Sequence, residues 1–256
     1  MKDQPGSNNY FICTVQRSGK SWLCNILSRL QHYGVPEEYL KLSVLKKRFG
    51  EGDSLKKALA GGDFSGIYDF VEELTIEKSG LSVPLGLAVQ SSQMKNIADL
   101  TGFSPVDVFK NLYKAFGYPV IFMLKREDLA AQAVSHYFMA QTGIAHSYQA
   151  DSNKAKTYDN IEYNQKEILK WYDFTCHGYE FWETLFEKCG VVPNYVLYEN
   201  LRTDLYDNIV TMTRLINRSS QVTPVQVSSA SQQSMQKLSI SKKALFTAEF
   251  KRYFQD

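Results

Sequence analysis

The sequence of 256 residues has only four cysteines, and no two of them are spaced as metal ligands or as a redox pair. Each lies in an apolar stretch, which predicts reduced side chains in the core: Cys13, Cys24, Cys176 and Cys189. Long apolar runs are missing too, and residues 1–9 are polar. A membrane span needs about 20 apolar residues, and a signal peptide needs an apolar segment of its own. We therefore expect a cytoplasmic protein with no membrane partner.

An excess of one charge is also missing. The formal net charge is +2 and the pI is near 8.2, which is too mild for a general nucleic-acid binder, so a positive site has to be local. With 44% hydrophobic residues, the chain can bury one good core. We expect one domain over residues 1–256, with a lysine-rich helical insertion at about 40–80 and a mobile Ser/Gln-rich segment at about 219–241.

The first motif is a strand, a tight loop and a helix. Residues 10–15 are apolar and rich in aromatic and β-branched side chains, which predicts a strand. The loop that follows reads QRSGKS over residues 16–21. Apolar residues then recur at helical spacing, at Leu23, Ile26, Leu27 and Leu30.

This loop has the composition of an anion-binding site. The start of a helix carries unpaired N–H groups and a partial positive charge. Arg17 and Lys20 add full charges, and Ser18 and Ser21 add hydroxyl donors. Gly19 lets the backbone approach a ligand closely. We interpret the loop as a phosphate or sulfate site; the alternative is an ordinary turn with two solvated cations.

Strands and helices alternate along the rest of the chain. The predicted strands after the first are residues 81–89, 119–124 and 194–198, and the clearest predicted helices are residues 104–117 and 129–142. The continuous apolar run at 119–124 is typical of a strand covered on both faces of a parallel sheet. The alternation predicts an α/β fold of three layers, P-loop-NTPase-like, with a central mostly parallel sheet flanked by helices.

The strand at residues 119–124 is followed by two cations. Ligands bind beyond the carboxyl ends of parallel strands, so Arg126 is expected in the same crevice as Arg17 and Lys20. A nucleotide triphosphatase needs instead an acid at such a strand end, to hold magnesium. The acids at residues 127–128 are better explained as first-turn acids of the next helix. We expect a highly charged anion bound without metal.

Two known families use a loop of this kind. Residues 16–23, QRSGKSWL, resemble the first loop of sulfotransferases that use 3′-phosphoadenosine 5′-phosphosulfate (PAPS), with a departure at Lys20. The nucleotide P-loop, G-x-x-x-x-G-K-[ST], is matched at residues 19–21, but Thr14 replaces its first glycine. Residues 125–135 resemble the second sulfotransferase signature, an arginine at a strand end followed by a serine on the next helix.

The resemblance narrows to one bacterial family, typified by trehalose 2-sulfotransferase. Residues 126–135 with Gln141-Thr142 are similar to its R-x-D-x-x-[AS]-Q-A-V-S segment, residues 36–39 to its P-x-E-[FY] segment, and residues 198–201 to its Y-E-x-L ending. It implies transfer of a sulfuryl group from PAPS to a hydroxyl or nitrogen of a small-molecule acceptor, such as a sugar or a specialised metabolite. Dimerisation is implied by the resemblance alone.

The family also implies roles for individual residues. Glu38 matches the catalytic base, while Arg17 and Lys20 would stabilise the leaving group, and Arg126 and Ser135 would hold the 3′-phosphate. Further donor-binding residues are expected at Ser18, Gly19, Ser21 and Trp22, and acceptor-binding residues at Gln16, Glu37 and Tyr39, with Glu37 as the fallback base. No metal is implied.

The sequence departs from the family pattern at two positions, and two other functions remain possible. The family often has a lysine in the second strand, where this chain has Ala88, and Ser or Thr at the position of Lys20. The alternatives are a P-loop kinase or NTPase using Mg-ATP, and a non-catalytic nucleotide-binding module.

A long helix is predicted over residues 158–188, and a last helix over residues 242–254 with a solvated basic face. The histidines are interpreted as structural: His32, His136, His146 and His177.

Overall fold

Four strands form one parallel sheet in the order β2-β1-β3-β4. The computed structural model describes residues 8–30, 32–60, 64–79, 83–144, 158, 160–217, 222–232 and 240–254. The strands are β1 (Tyr10–Thr14), β2 (Gly86–Gln90), β3 (Val120–Lys125) and β4 (Asn194–Leu197). Thr14, at the end of the central strand, lies opposite Gln90 on one side and Leu124 on the other. The carboxyl ends of the strands therefore share one edge, where folds of this class bind ligands.

Helices connect the strands and cover both faces of the sheet. They are α1 (Lys20–Arg29), α2 (Leu42–Phe49), α3 (Asp53–Ala60), α4 (Ser65–Ser79), α5 (Ser91–Thr101), α6 (Pro105–Ala115), α7 (Leu129–Thr142), α8 (Gln165–Cys189), α9 (Tyr198–Thr203), α10 (Leu205–Ile216), α11 (Pro224–Gln232) and α12 (Ile240–Arg252).

Alternate side chains of the strands enter two different cores. In β1, Phe11 and Cys13 join a core formed with α5, α6 and α8, whereas Tyr10 and Ile12 join one formed with α1, α10 and α11. All five residues of this strand are buried, as the apolar pattern of a doubly covered parallel strand requires. The predicted three-layer α/β fold is confirmed.

The helical insertion packs onto the first of these cores. Its helices α2, α3 and α4 bury the apolar residues Leu45, Leu55, Leu59, Ile67 and Val71 against β2 and α5. A third apolar cluster joins α7, α8 and α12 through Phe138, Ile168 and Phe250. Because α7 follows β3 directly, this cluster holds α12 beside the carboxyl edge of the sheet.

Several predicted boundaries are confirmed and others are wrong. The predicted helix at 129–142 is α7, and Ser104 caps α6, its hydroxyl accepting the Asp107 N–H at 3.2 Å. The helix predicted over residues 158–188 begins only at Gln165, where Asn164 caps it by accepting the Glu167 N–H. Helix α11 lies inside the segment predicted to be mobile, and residues 218–221 and 233–239 lie outside the described residues.

The cysteines are free, as predicted. Cys13 and Cys24 are buried, and Cys176 and Cys189 are half-buried. Burial raises the pKa of Cys24 to about 12, so this thiol stays protonated at neutral pH. None of the helices in the described ranges combines the length and the apolar character that a bilayer crossing needs.

Candidate functional site

The loop between β1 and α1 has two residues with left-handed backbone conformations. Gly19, which precedes the first residue of α1, has φ +97°, and Arg17 has φ +66°. A left-handed conformation is unfavourable for a residue with a Cβ, so the strain at Arg17 is tolerated only because the surrounding contacts fix it. The turn presents the first N–H groups of α1 and the Arg17 side chain to the same cavity.

The underside of this loop is tied to the core. The hydroxyls of Thr14 and Ser18 share a hydrogen bond, and the Trp182 indole N–H donates to the Thr14 carbonyl oxygen at 2.9 Å. Ser18 is fully buried and does not line the cavity. Its hydroxyl, predicted to contact the donor, is instead bonded to Thr14, and the side chain stabilises the loop from the core side.

The cavity at the carboxyl edge of the sheet has a volume of about 1220 Å³. Of the predicted residues, the following line it: Gln16, Arg17, Gly19, Lys20, Ser21, Trp22, Glu38, Arg126 and Ser135. Among the described residues, its basic lining is Arg17, Lys20, Lys41, Arg126, Arg202, Lys243 and Lys251, and its acidic lining is Glu38 and Asp128. The excess of cations makes the cavity positive, although the whole chain is nearly neutral.

Arg126 provides a buried donor that has no acceptor. Its guanidinium lies 5.0 Å from the centre of the Tyr198 ring. Among the described residues, its buried Nε has no hydrogen-bond partner, and Oε1 of Glu199 lies 3.8 Å away. Leaving such a donor unsatisfied costs about 1–3 kcal/mol, so an anion that accepted a hydrogen bond from it would be bound favourably.

Arg17 and Ser135 contact each other on the α7 side of the cavity. The Arg17 Nε donates to the Ser135 hydroxyl oxygen at 3.2 Å. Burial lowers the pKa of Arg17, and the nearby positive charge of Arg126 lowers it further. An anion placed between the two guanidinium groups would relieve this repulsion.

Glu38 enters the cavity because the chain doubles back after α1. The Glu37 carbonyl oxygen accepts the N–H of Ala88 at 2.9 Å, which adds this segment to the edge of β2. The Lys20 ammonium lies 2.6 Å from Oε2 of Glu38. The segment therefore places one half of an ion pair, the Glu38 carboxylate, in the cavity.

The side chains of Glu37 and Tyr39, on either side of Glu38 in the sequence, point away from the cavity. The Glu37 carboxylate pairs with the Lys78 ammonium of α4 at 2.5 Å. Tyr39 is 2% exposed, and its hydroxyl donates to the Val35 carbonyl oxygen at 2.8 Å. Neither Glu37 nor Tyr39 lines the cavity, so the structure does not bring these two predicted acceptor-binding residues together with Glu38.

A buried polar chain links the loop to the end of β3. Gln132 is fully buried, and its Nε2 donates to the Gln16 carbonyl oxygen at 2.7 Å. The Tyr179 hydroxyl donates to Oε1 of Gln132 at 2.9 Å and accepts the backbone N–H of Arg126 at 3.0 Å. These contacts fix the spacing between the two segments that carry Arg17 and Arg126.

Two glutamines that the sequence analysis missed surround Glu38. Gln90 is the last residue of β2 and Gln93 lies in the first turn of α5, and both line the cavity. Each donates its side-chain N–H to Oε1 of Glu38, at 2.5 Å and 2.9 Å respectively. The rule that ligands bind at strand ends applies to Gln90 as it does to Arg126.

Helix α12, for which the sequence predicted a solvated basic face, forms a wall of the cavity. Lys243, Thr247 and Lys251 are spaced four apart and line the cavity together. The Lys251 ammonium lies 2.9 Å from Oδ2 of Asp128, so the solvated-face interpretation is incomplete for Lys251, whose half-exposed side chain also lines the cavity. It fits Arg252, which is exposed and pairs with Glu249 of its own helix.

Asp128 caps α7 and is not an acid of its first turn. Its Oδ1 accepts the Ala131 N–H at 3.0 Å. Burial acts to raise the pKa of Asp128, but the hydrogen bonds from Ala131 and Lys251 outweigh it and lower the pKa. Together with the Lys20–Glu38 pair, this leaves each acid of the described lining in contact with a lysine.

The described histidines lie outside the cavity. His136 is 1% exposed and stacks on Trp171 with ring centres 3.9 Å apart. Burial and the charge of Arg17 lower the pKa of His136 to about 4. His32 and His177 are exposed, and neither lines the cavity; His146 lies outside the described residues.

A model of the Stf0 sulphotransferase family matches residues 9–242 of the chain. No curated protein matches the sequence. Among solved structures, the chain is similar to the sulfotransferase domain from the Synechococcus PCC 7002 olefin synthase, with 14% sequence identity and a TM-score of 0.36. That comparison covers 100% of this chain and 97% of the other.

Proposed function

The chain belongs to the Stf0 sulphotransferase family and is therefore a sulfotransferase, and we propose that its donor is PAPS, with Glu38 as the catalytic base. Membership of this family favours sulfuryl transfer over the Mg-ATP kinase and the non-catalytic module that the sequence left open. The observation that carries the proposal is the meeting of Arg17, Lys20 and Arg126, from two separate strand ends, in one cavity.

The size and charge of the cavity support this donor. PAPS carries a 3′-phosphate, a 5′-phosphate and a sulfate, so its site needs more cations than a simple anion does. Ligand pockets are commonly about 300–1,000 Å³, and the volume of about 1220 Å³ leaves room for a nucleotide and an acceptor together. Both acids of the described lining are paired with lysines, which reduces their repulsion of the donor.

The phosphosulfate end of the donor would lie on the loop before α1. The N–H groups at the start of α1 would hold the 5′-phosphate, and Arg17 and Lys20 would stabilise the charge that develops on the bridging oxygen. Trp22 packs edge-on against the Tyr198 ring, with centres 6.1 Å apart. Its role at the site is to support the loop.

The 3′-phosphate would lie where Arg126 and Ser135 face the cavity. The unsatisfied Nε of Arg126 offers one donor, and the Ser135 hydroxyl, which accepts from Arg17, offers another. The two segments that hold these groups are linked through Gln132 and Tyr179. The site would therefore bind the 3′-phosphate with little rearrangement.

Glu38 would accept the proton of the acceptor. The acceptor oxygen or nitrogen attacks sulfur in line, and the bond from sulfur to the bridging oxygen breaks. The electron pair of the broken bond leaves with 3′-phosphoadenosine 5′-phosphate (PAP), and the proton of the acceptor passes to the Glu38 carboxylate. A positioned general base contributes about 10²–10⁴ to the rate. The Lys20 ammonium, at the start of α1, lies 2.6 Å from Oε2 of this base.

The position of Lys20 also accounts for the missing lysine of the second strand. Ala88 is buried beneath the sheet edge and carries no charge to the cavity. Lys20 brings a cation to the same crevice from α1. On the acceptor side, beside Glu38, the lining is mostly polar and uncharged, with Ser43, Ser92 and Asn96. This suits a small hydroxyl- or nitrogen-bearing acceptor such as a sugar or a specialised metabolite.

Binding and turnover test the proposal separately. With a chelator present, calorimetry should give tight binding of PAP and at least tenfold weaker binding of 5′-AMP. Incubation with labelled PAPS and a metabolite extract should transfer label to a small molecule, and Glu38→Gln should remove this transfer without removing PAP binding. Equal affinity for PAP and 5′-AMP would contradict the donor. The homodimer implied by the resemblance stays a prediction, which light scattering can test.

A further inference from the structure

The two oxygens of the Glu38 carboxylate have different partners. Oε1 accepts two hydrogen bonds, from Nε2 of Gln90 at 2.5 Å and from Nε2 of Gln93 at 2.9 Å. Oε2 has the Lys20 ammonium at 2.6 Å. The first oxygen is thus held by neutral amides of β2 and α5, and the second faces the donor loop.

The amide of Gln93 is oriented by the backbone. Its Oε1 accepts the N–H of Gln90 at 3.0 Å, so its NH₂ group has to face Glu38. Gln90 and Gln93 are 9% and 5% exposed, although both reach the cavity. Side chains this confined hold their partner in one orientation, which a solvated residue cannot do.

We propose that Gln90 and Gln93 are positioning residues for Glu38: they hold Oε1, so that Oε2 alone is presented to the acceptor proton. This role rests on the proposed function, since it assumes that Glu38 is the base. When the donor draws Lys20 toward its sulfate, Oε2 becomes available, while Oε1 keeps both amide donors.

Neutral amides suit this task because they stabilise the carboxylate without adding a second positive charge beside it. The charged and titratable groups around Glu38 are Lys20, Lys41 of the cavity wall, Glu37, and the Cys24 thiol. Glu37 is paired with Lys78, and burial raises the pKa of Cys24 to about 12, so it stays neutral. Among the described residues, the two amides and Lys20 are therefore the groups whose side chains contact the Glu38 carboxylate.

The test is the pH dependence of kcat/KM for the acceptor at saturating PAPS. Gln93→Glu places a carboxylate within hydrogen-bonding reach of Glu38, and a like charge there favours the protonated base. The acidic limb of the profile should move to higher pH by about one unit or more. Gln93→Leu, which removes one donor to the carboxylate, should move the limb in the same direction by less. A residue with a structural role alone would lower the rate without moving the limb.

Asn96→Asp is the matched control. Asn96 lies three residues further along α5 and lines the same cavity, but it makes no hydrogen bond to Glu38 among those seen in the described residues. Asn96→Asp adds the same charge without a contact to Glu38, so it should move the acidic limb by clearly less than Gln93→Glu does. Equal shifts in the two variants would overturn the proposal.

The result also separates this proposal from the assignment of the base. Glu38→Gln should abolish the acidic limb in whatever activity remains; a limb that survives overturns both assignments. A limb that is lost in Glu38→Gln but unmoved in Gln93→Glu overturns the positioning role alone. If Gln93→Glu does not fold, as judged by its melting curve, Gln90→Glu applies the same test from the strand side, with the same expected shift.

Discussion

The ring of Tyr198 lies against the backbone of Gly19, and its Cε2 is 2.8 Å from the position that a Cβ on this glycine would take. The guanidinium of Arg126 lies over the same ring, 5.0 Å from its centre. One aromatic side chain therefore contacts both the anion loop and the arginine at the end of β3. It sets how far apart the two groups that would hold the donor can be.

Gly19→Ala should disrupt the loop for two reasons. A left-handed conformation costs a residue with a Cβ about 1–2 kcal/mol, and the new methyl would also clash with Tyr198. We expect a loss of PAP affinity of at least tenfold, together with a lower melting temperature. Gly102→Ala is the control, because φ there is +75° but nothing lies within 4 Å of an added Cβ. Equal losses of stability in the two variants, with PAP affinity unchanged, would contradict the role of the Tyr198 contact.

Tyr179→Phe should weaken donor binding without creating a large cavity in the core. The substitution removes one oxygen and leaves the Arg126 N–H and the Gln132 Oε1 without their partner. An unsatisfied buried group costs about 1–3 kcal/mol. We expect PAP affinity to fall by roughly 5- to 150-fold, because binding then has to restore the spacing of Arg17 and Arg126 at about that cost. Tyr195→Phe removes the same atom from a side chain that is 55% exposed, and calorimetry should show no change there.

The sequence predicted the parts of the site that local pattern controls. The β1–loop–α1 unit and helix α7 follow from apolar periodicity and capping residues, both of which act within a few residues. The strand-end rule then placed Arg17, Lys20 and Arg126 in one crevice. These predictions needed only the order of the elements and the parallel sense of the sheet.

The missed residues depend on contacts between distant segments. Glu38 itself was predicted only through the family resemblance, because it reaches the cavity through the pairing of Glu37 with the edge of β2, which no local pattern encodes. Gln90 was missed because Pro84 and Gly86 interrupt the apolar run, which obscured where β2 ends. Lys251 reaches the site through the packing of α12 on α7, far from it in sequence.

Lys251→Met should lower PAP affinity several-fold with little effect on stability. Lys251 lines the cavity and its side chain is half-exposed, so its ion pair with Asp128 contributes only about 0–1 kcal/mol to folding. Removing it takes one cation from the cavity and leaves Asp128 unpaired there. Arg252→Met removes a neighbouring charge that pairs with Glu249 outside the cavity. Calorimetry at low and moderate salt should show a larger loss of PAP affinity in Lys251→Met than in Arg252→Met. Equal losses in the two variants would contradict a role of α12 in the site.

The last prediction concerns stability at acidic pH. His136 is buried on Trp171, and burial lowers its pKa to about 4, from an ordinary value of 6.5. The unfolded chain therefore binds a proton between these pH values that the folded protein does not. Stability is fully present above pH 6.5 and is lost as the pH falls toward 4. Between pH 7.5 and pH 5 this histidine should cost the fold about 2 kcal/mol.

His136→Phe tests this directly, because phenylalanine keeps an aromatic ring against Trp171 and cannot bind a proton. The free energy of unfolding should be measured by urea titration at pH 7.5 and pH 5 for both proteins. The wild type should lose about 2 kcal/mol more than the variant over this interval. His32→Gln, which changes an exposed histidine, should keep the wild-type loss. Parallel losses in the wild type and in His136→Phe would mean that His136 gains its proton without unfolding the protein, and the buried, neutral state of this imidazole would have to be abandoned.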